Sequence, residues 1–133
     1  FEQLPTGRTS QALCRAAAYA AKEIGTQKVA VFTESGLMAR RMSAFRSGLQ
    51  TFALTSSHDV KNQLALIWGV RPMFHAAGDS TESMLKSGEK KLLSLDNCVE
   101  GQETIIMMAG RLSGLGLSSS VVVWTIGEDV PKR

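Results

Sequence analysis

Short apolar runs alternate with helical patterns along most of the chain. Five runs predict strands, at residues 28–33, 50–55, 70–76, 104–109 and 119–126. Helical spacing precedes the first run and follows the first three. The apolar positions of the four predicted helices are Leu13, Ala17, Ala20 and Ile24; Met38, Met42 and Phe45; Val60, Leu64, Ile67 and Trp68; and Met84, Leu85, Leu92 and Leu95.

Capping residues and glycines at the ends of the predicted helices agree with this spacing. Thr9 or Ser10 can cap the first helix and Gly25 can end it, and Ser35 can cap the second before Gly48 closes it. The remaining end signals are a capping-box-like Ser56 with Asp59, Gly69 after the third helix, and Asp79 with Glu82 at the start of the fourth.

Strands that alternate with helices of this length predict parallel βαβ crossovers. Pro72 places the third strand at an edge of the sheet. About nine residues separate the last two strands, fewer than a parallel crossover needs, so the fifth strand should be antiparallel. We therefore predict a three-layer α/β/α sandwich with a mixed five-stranded sheet, four strands parallel and the last antiparallel.

Composition narrows the class of protein. Of 133 residues 44% are hydrophobic and the net charge is +3, as expected for one globular domain. No apolar run approaches the roughly 20 residues of a membrane span, and no basic stripe carries stacking aromatics, so neither a membrane nor a nucleic acid is an expected partner. Cys14 and Cys98 are not spaced as a zinc motif or a disulfide framework, which fits a reducing cytoplasm.

The first residues differ from the rest. Pro5 and Gly7 in residues 1–9 indicate a tail or linker from a preceding domain, which leaves residues 10–133 as the α/β domain. The chain begins with Phe1, and its earliest methionine is Met38. We therefore expect it to be a piece of a longer protein.

Candidate chemistry gathers where the predicted strands end, because ligands of such sheets bind beyond the carboxyl ends of the strands. Thr33, Glu34, Ser35 and Gly36 follow the first strand and combine hydroxyls and a glycine with a helix N-terminus, which favours a phosphate. An ordinary helix cap explains the same residues equally well. After the fourth strand, Arg111 and Gly114 lie in a glycine-rich loop that suits either a phosphate or a plain reversal.

Catalytic and metal-binding patterns are weak. A hydrolase built from Ser35, His58 or His75, and Asp79 lacks the first glycine of a nucleophile elbow. No HxxxH, HExxH or carboxylate cluster indicates a metal, and Cys14 on an apolar helix face is best interpreted as a small buried hydrophobe. Trp68 and Trp124 occupy periodic positions typical of core or interface residues, with a stacking cofactor site as the less favoured alternative.

Several sequence segments resemble the C-terminal domain of pyruvate kinase. They are CRAAAYAAKEIG (14–25), VAVFTESGLMARRMSAFR (29–46), LALIWGVRP (64–72) and TIIMMAG (104–110), and the resemblance covers residues from about 10 to 127. It implies a parent enzyme that transfers a phosphoryl group from phosphoenolpyruvate to ADP with Mg²⁺ and K⁺. It also implies that the catalytic residues lie in an upstream (β/α)8 barrel and that this chain itself holds no cofactor or metal.

The resemblance further implies a role in a tetramer interface and a sugar-phosphate effector at the loops after the first and fourth strands. Thr33, Ser35 and Gly36 match the family's phosphate loop, and Arg111 and Gly114 remain as contacts in the second loop. Glu34, Leu37 and Met38 depart from the hydroxyl-rich form, and a carboxylate disfavours a phosphate. Effector binding is thus either lost or retuned to another phosphate, and a free-standing phosphate- or nucleotide-binding module of the same fold is the alternative function.

Overall fold

Helices and strands alternate through the part of the chain that the structure, a computed structural model, describes: residues 6–45, 48–76, 81–94, 104–109 and 120–126. The helices are α1 (Thr6–Ile24), α2 (Leu37–Phe45), α3 (His58–Leu64) and α4 (Thr81–Ser94). The strands are β1 (Lys28–Phe32), β2 (Gln50–Thr55), β3 (Val70–Phe74), β4 (Thr104–Ala109) and β5 (Ser120–Thr125).

The strands form one mixed sheet in the order β3-β2-β1-β4-β5. β1 pairs in parallel with both β2 and β4, and β2 pairs in parallel with β3. β5 runs antiparallel to β4, with Ser120 opposite Ala109 and Thr125 opposite Thr104. The predicted pairing, the edge position of the strand that carries Pro72, and the reversal of the last strand are all confirmed.

Helices cover both faces of the sheet, so the predicted three layers are confirmed. The alternation of side chains in β1 assigns the faces: Ala30 and Phe32 pack on the α4 side, whereas Val29 and Val31 pack against α1 and α2. The α4 side also buries Phe52, Leu54, Met73, Met84, Leu85, Leu92, Ile105 and Met107. The opposite side buries Cys14, Ala17, Ala21, Met38, Met42, Ile106 and Met108, with Ala39, Ala53 and Leu64 next to them under α3.

The fourth helix fits the sheet because one of its residues has no side chain. A Cβ atom on Gly88 would lie 2.6 Å from Cε1 of the Phe32 ring, and still nearer its Cζ. Ordinary carbon contacts are about 3.5–4.0 Å. Gly88 therefore sets how closely α4 approaches β1.

Two helix starts differ from the sequence predictions. α1 begins at Thr6 and not at Thr9 or Ser10, because a glycine such as Gly7 costs a helix only about 1 kcal/mol. α3 is capped by Ser57 and not by Ser56: the Ser57 hydroxyl accepts a hydrogen bond from the Val60 N–H at 3.2 Å. The predicted Asp79 and Leu95 lie outside the described residues.

Among the described helices, none is both long and apolar enough to span a bilayer.

Candidate functional site at the carboxyl ends of the strands

The turn after β1 lies at the point where the strand order of the sheet reverses. β1 lies between β2 and β4, so the strand order runs from β1 to β3 in one half of the sheet and resumes with β4 on the other side of β1. Sheets of this type bind ligands in the crevice at such a reversal. Residues 33–36 follow β1 there, and Arg111 and Gly114 follow β4 but lie outside the described residues.

The turn after β1 uses its own hydroxyls to cap α2. Thr33 is buried, and its Oγ1 accepts a hydrogen bond from the Gly36 N–H at 2.9 Å. Ser35 Oγ accepts one from the Leu37 N–H at 3.2 Å, which confirms its predicted role as a cap. Two amides at the start of α2 therefore already have acceptors within the chain.

Gly36 gives the turn its shape. Its φ is 85°, in the left-handed region that favours glycine, and its carbonyl oxygen accepts from the Arg40 N–H at 3.0 Å. A Cβ atom there would lie 3.2 Å from Val60 Cγ1 and 3.3 Å from Leu64 Cδ2. The turn is thus held tightly between β1 and α3, while Ser35 at its tip is exposed and Glu34 is half-buried.

The neighbouring turn after β2 is built in the same way. Thr55 Oγ1 accepts a hydrogen bond from the Ser57 N–H at 3.2 Å, before the Ser57 hydroxyl caps α3. The His58 ring stacks on Phe74, with ring centroids 4.2 Å apart. These contacts shape the edge of the sheet and bring His58 to the end of β3, not to Ser35.

His75 has a different partner from the one considered in the sequence. Its Nε2 lies 2.7 Å from Ser87 Oγ on α4, and its ring meets Phe32 edge to face at 5.5 Å. Ser87 Oγ donates to the Met84 carbonyl oxygen at 3.1 Å, so the hydroxyl accepts from Nε2–H. Burial lowers the pKa of His75, and the positive charge of Lys91 lowers it further, which favours the neutral ring that this hydrogen bond uses.

The described residues therefore do not bring Ser35 together with a histidine. Sequence reasoning missed Ser87, because His75 follows a strand and Ser87 lies within a helix, and no motif links them. A serine whose proton is donated to the backbone of its own helix is not activated as a nucleophile. The predicted Asp79 lies outside the described residues.

Comparison with known proteins gives the family. The family model described as "Pyruvate kinase, alpha/beta domain" matches residues 11–123, most of the chain. The chain belongs to the pyruvate kinase α/β domain family.

Curated relatives agree with this assignment. A pyruvate kinase of Mycobacterium tuberculosis (strain CDC 1551 / Oshkosh) is 30% identical over 115 residues, which are 84% of this chain and 24% of the relative. One from Lactococcus lactis subsp. lactis is 31% identical over 107 residues, 80% of this chain and 21% of the relative. The chain thus spans about a quarter of the length of these relatives.

A solved structure shows the same fold. The crystal structure of a pyruvate kinase from Cryptosporidium parvum superposes with a TM-score of 0.72 at 16% identity, over 95% of this chain and 24% of that one. The resemblance stated from the sequence is confirmed at the level of family and fold.

The structure also shows the environment of Cys14, another residue considered in the sequence of this pyruvate kinase α/β domain. Cys14 is buried beside Met38, with the two sulfur atoms 3.9 Å apart, as its position on an apolar face predicted. Burial raises the pKa of its thiol to about 11, against a lowering effect of Arg41. Within the described ranges, no three His, Cys, Asp or Glu side chains come together as metal ligands.

The two tryptophans have different surroundings. Trp124 is half-buried against the α4 side of the core, and its Nε1–H donates to Glu89 Oε2 at 3.2 Å. Trp68 is 67% exposed, so of the two predicted positions, core or interface, the core position is wrong for this residue. α3 ends at Leu64, and the chain then turns, so Trp68 no longer follows the helical period that suggested burial.

Proposed function

We propose that this chain is the C-terminal regulatory and oligomerisation domain of a pyruvate kinase that transfers a phosphoryl group from phosphoenolpyruvate to ADP in the cytoplasm. The match over residues 11–123 supports this, together with the fraction of each relative that the chain covers. On this proposal the residues that react, and the Mg²⁺ and K⁺ of the reaction, belong to a preceding barrel domain. The domain itself pairs subunits and receives a phosphorylated effector.

The edge position of β5, which has one neighbouring strand among the described residues, is the observation that supports subunit pairing. β5 ends the sheet, and its segment SVVVWT contains no charge and no proline, whereas the other edge strand carries Arg71 and Pro72. Val123 is 53% exposed. An apolar edge without such protection pairs readily with another strand. On this proposal β5 of a second copy pairs with β5 of the first, so that the backbone groups of both edges are hydrogen-bonded. Two antiparallel β5 strands are related by a two-fold axis, as a symmetric dimer requires.

We expect Val123→Lys to convert a dimer into a monomer. The substitution places a charge on the edge that the second copy would cover, and charged edges resist pairing. Light scattering after gel filtration at about 100 μM chain, well above the Kd of a typical stable dimer, should give a dimer for the unchanged chain and a monomer for the variant.

Leu66→Lys is the matched control for loss of apolar surface. Leu66 is 88% exposed between α3 and β3, away from the β5 edge, so this variant should remain dimeric. A monomeric unchanged chain, or equal dissociation of both variants, would contradict pairing through β5.

The turn after β1 supports the effector proposal through Ser35. Thr33 is buried and engaged in the turn, whereas Ser35 is exposed and can rotate its hydroxyl toward a phosphate and release the Leu37 N–H. Both groups then donate to the anion at the positive end of α2. The adjacent carboxylate of Glu34 opposes the same anion.

We therefore expect Glu34→Gln to bind fructose 1,6-bisphosphate about tenfold more tightly than the unchanged chain, through removal of one nearby like charge. The measurement is a titration followed by the amide NMR signals of residues 33–37. Glu23→Gln, at an exposed position of α1, is the control and should leave the Kd unchanged. Absence of any shift in residues 33–37 at millimolar ligand in every variant would refute the site.

A further inference from the structure

A groove between α1 and α2 contains two arginines, and the described residues that line it include no carboxylate. It encloses about 360 Å³ and is lined by Gln11, Cys14, Leu37, Arg40, Arg41 and Ala44. That volume falls within the range of small-molecule sites, roughly 300–1,000 Å³. The walls are apolar at Leu37, Ala44 and Cys14, and the charges come from Arg40 and Arg41.

Arg41 has a buried donor without an acceptor. Its Nε is enclosed, and within the part of the chain that the structure describes it has no hydrogen-bond partner. A buried polar group left unpaired costs roughly 1–3 kcal/mol, so such groups in native proteins normally meet an acceptor. The described residues therefore leave the desolvation cost of Arg41 Nε without compensation.

The charges in the groove also lack a counterion among the lining residues. Arg40 is held by an amide, since its Nη2 donates to Gln63 Oε1 at 3.1 Å, and this leaves its positive charge unneutralised. The Cys14 thiol, with its pKa raised to about 11 by burial, stays neutral at pH 7. The described part of the lining thus presents two guanidinium charges and an apolar wall, without a carboxylate.

We propose that this groove binds a small oxyanion with an apolar body, either a carboxylate or a phosphate monoester, at a site that adjoins the turn after β1 at Leu37 but does not use its hydroxyls. The Arg41 guanidinium pairs with two oxygens of the anion through its two terminal Nη groups. Such fork-shaped pairing matches both carboxylates and phosphates. Leu37 and Ala44 contact the apolar body.

Benzoate and phenyl phosphate are suitable probes, with benzyl alcohol as a neutral molecule of similar shape. We expect one or both anions to raise the melting temperature of the chain and to shift amide NMR signals of residues 11–14 and 40–44, with benzyl alcohol inactive. A response to benzoate alone identifies a carboxylate ligand, and a response to phenyl phosphate alone identifies a phosphate ester. Failure of both anions at about 20 mM, a very weak affinity, would overturn the proposal.

Variants of Arg41 separate binding from folding. Arg41→Met removes the unpaired donor and retains apolar contact, so the free chain should be at least as stable as before while the anion effect falls at least about tenfold. Arg41→Lys keeps the positive charge but lacks the planar pair of guanidinium donors, and should retain only part of the response to the anions. Lys22→Gln, near the other end of α1, is the control for net charge.

A response to the probes that survives in Arg41→Met would also overturn the proposal. The Glu34→Gln variant separates this site from the effector site, because it should change fructose 1,6-bisphosphate binding without changing the response to benzoate. Either site can therefore fail while the other stands.

Discussion

Gly88→Ala should destabilise the chain by about 2 kcal/mol, even though alanine is the better helix former. In an unobstructed helix interior the same change stabilises by up to about 1 kcal/mol. Here the new Cβ would lie 2.6 Å from Phe32 Cε1 and 3.5 Å from Leu54 Cδ2. The Phe32 ring is fully buried in the core, so it has little space into which to move. Helix α4 would have to lift from the sheet or Phe32 would have to leave its rotamer. Urea denaturation followed by far-ultraviolet circular dichroism measures the difference in the free energy of unfolding.

A double-mutant cycle with Phe32→Leu tests the cause. Phe32→Leu alone should destabilise the chain, because a fully buried ring is replaced by a smaller side chain. In that background Gly88→Ala should cost much less, since its methyl group enters the space that the ring has left. Stabilisation by Gly88→Ala alone, or two costs that simply add, would show that the ring does not set the packing distance of α4.

The architecture could be predicted from the sequence because several local signals agree. The 50–55 and 104–109 runs match β2 and β4, and Pro72 placed β3 at an edge. The short connection after β4 excluded a parallel crossover without any knowledge of tertiary contacts. Where period, turn residues and connection length agree, the sheet order has few alternatives.

Helix ends and surface residues were less predictable. Ser56 and Ser57 are both good capping residues. Which of them caps α3 depends on the course of the chain after β2, where Thr55 Oγ1 accepts a hydrogen bond from the Ser57 N–H. Trp68 continued an apolar period past the point where α3 ends. Sequence periodicity does not reveal that a helix has stopped when the residues that follow are still apolar.

The features of the candidate site also fall into two groups, those that the sequence could predict and those that it could not. Thr33, Ser35 and Gly36 could be found because a strand, two hydroxyls and a glycine at a helix start are local in the sequence. The His75–Ser87 hydrogen bond and the unpaired Arg41 Nε could not be found, because each depends on how helices pack on the sheet. In the sequence Arg40 and Arg41 are only an isolated pair of basic residues, and the packing of α1 against α2 is what places both guanidinium groups in one groove.

Gly36→Ala should destabilise the chain by about 2–3 kcal/mol, from left-handed backbone strain of about 1–2 kcal/mol together with side-chain crowding. The φ of Gly36 is 85°, and the new methyl group would lie 3.2 Å from Val60 Cγ1 and 3.3 Å from Leu64 Cδ2. To relieve the crowding, either α3 must move or the Gly36 N–H must move away from Thr33 Oγ1. Either change weakens a contact that holds the turn in place. Thermal and urea unfolding give the magnitude, and the Gly36 amide signal reports the hydrogen bond.

Gly48→Ala separates the two contributions to that cost. Gly48 has a φ of 83°, close to that of Gly36, but a Cβ atom there has no atom of the described residues within 4 Å. Its cost should therefore be the backbone strain alone, about 1–2 kcal/mol, and the excess in Gly36→Ala measures the crowding against α3. If the two variants lose equal free energy of unfolding, Val60 and Leu64 move aside without a cost in stability. The turn after β1 would then be held by its hydrogen bonds and not by packing, and a phosphate could reshape it more easily than its contacts with α3 suggest.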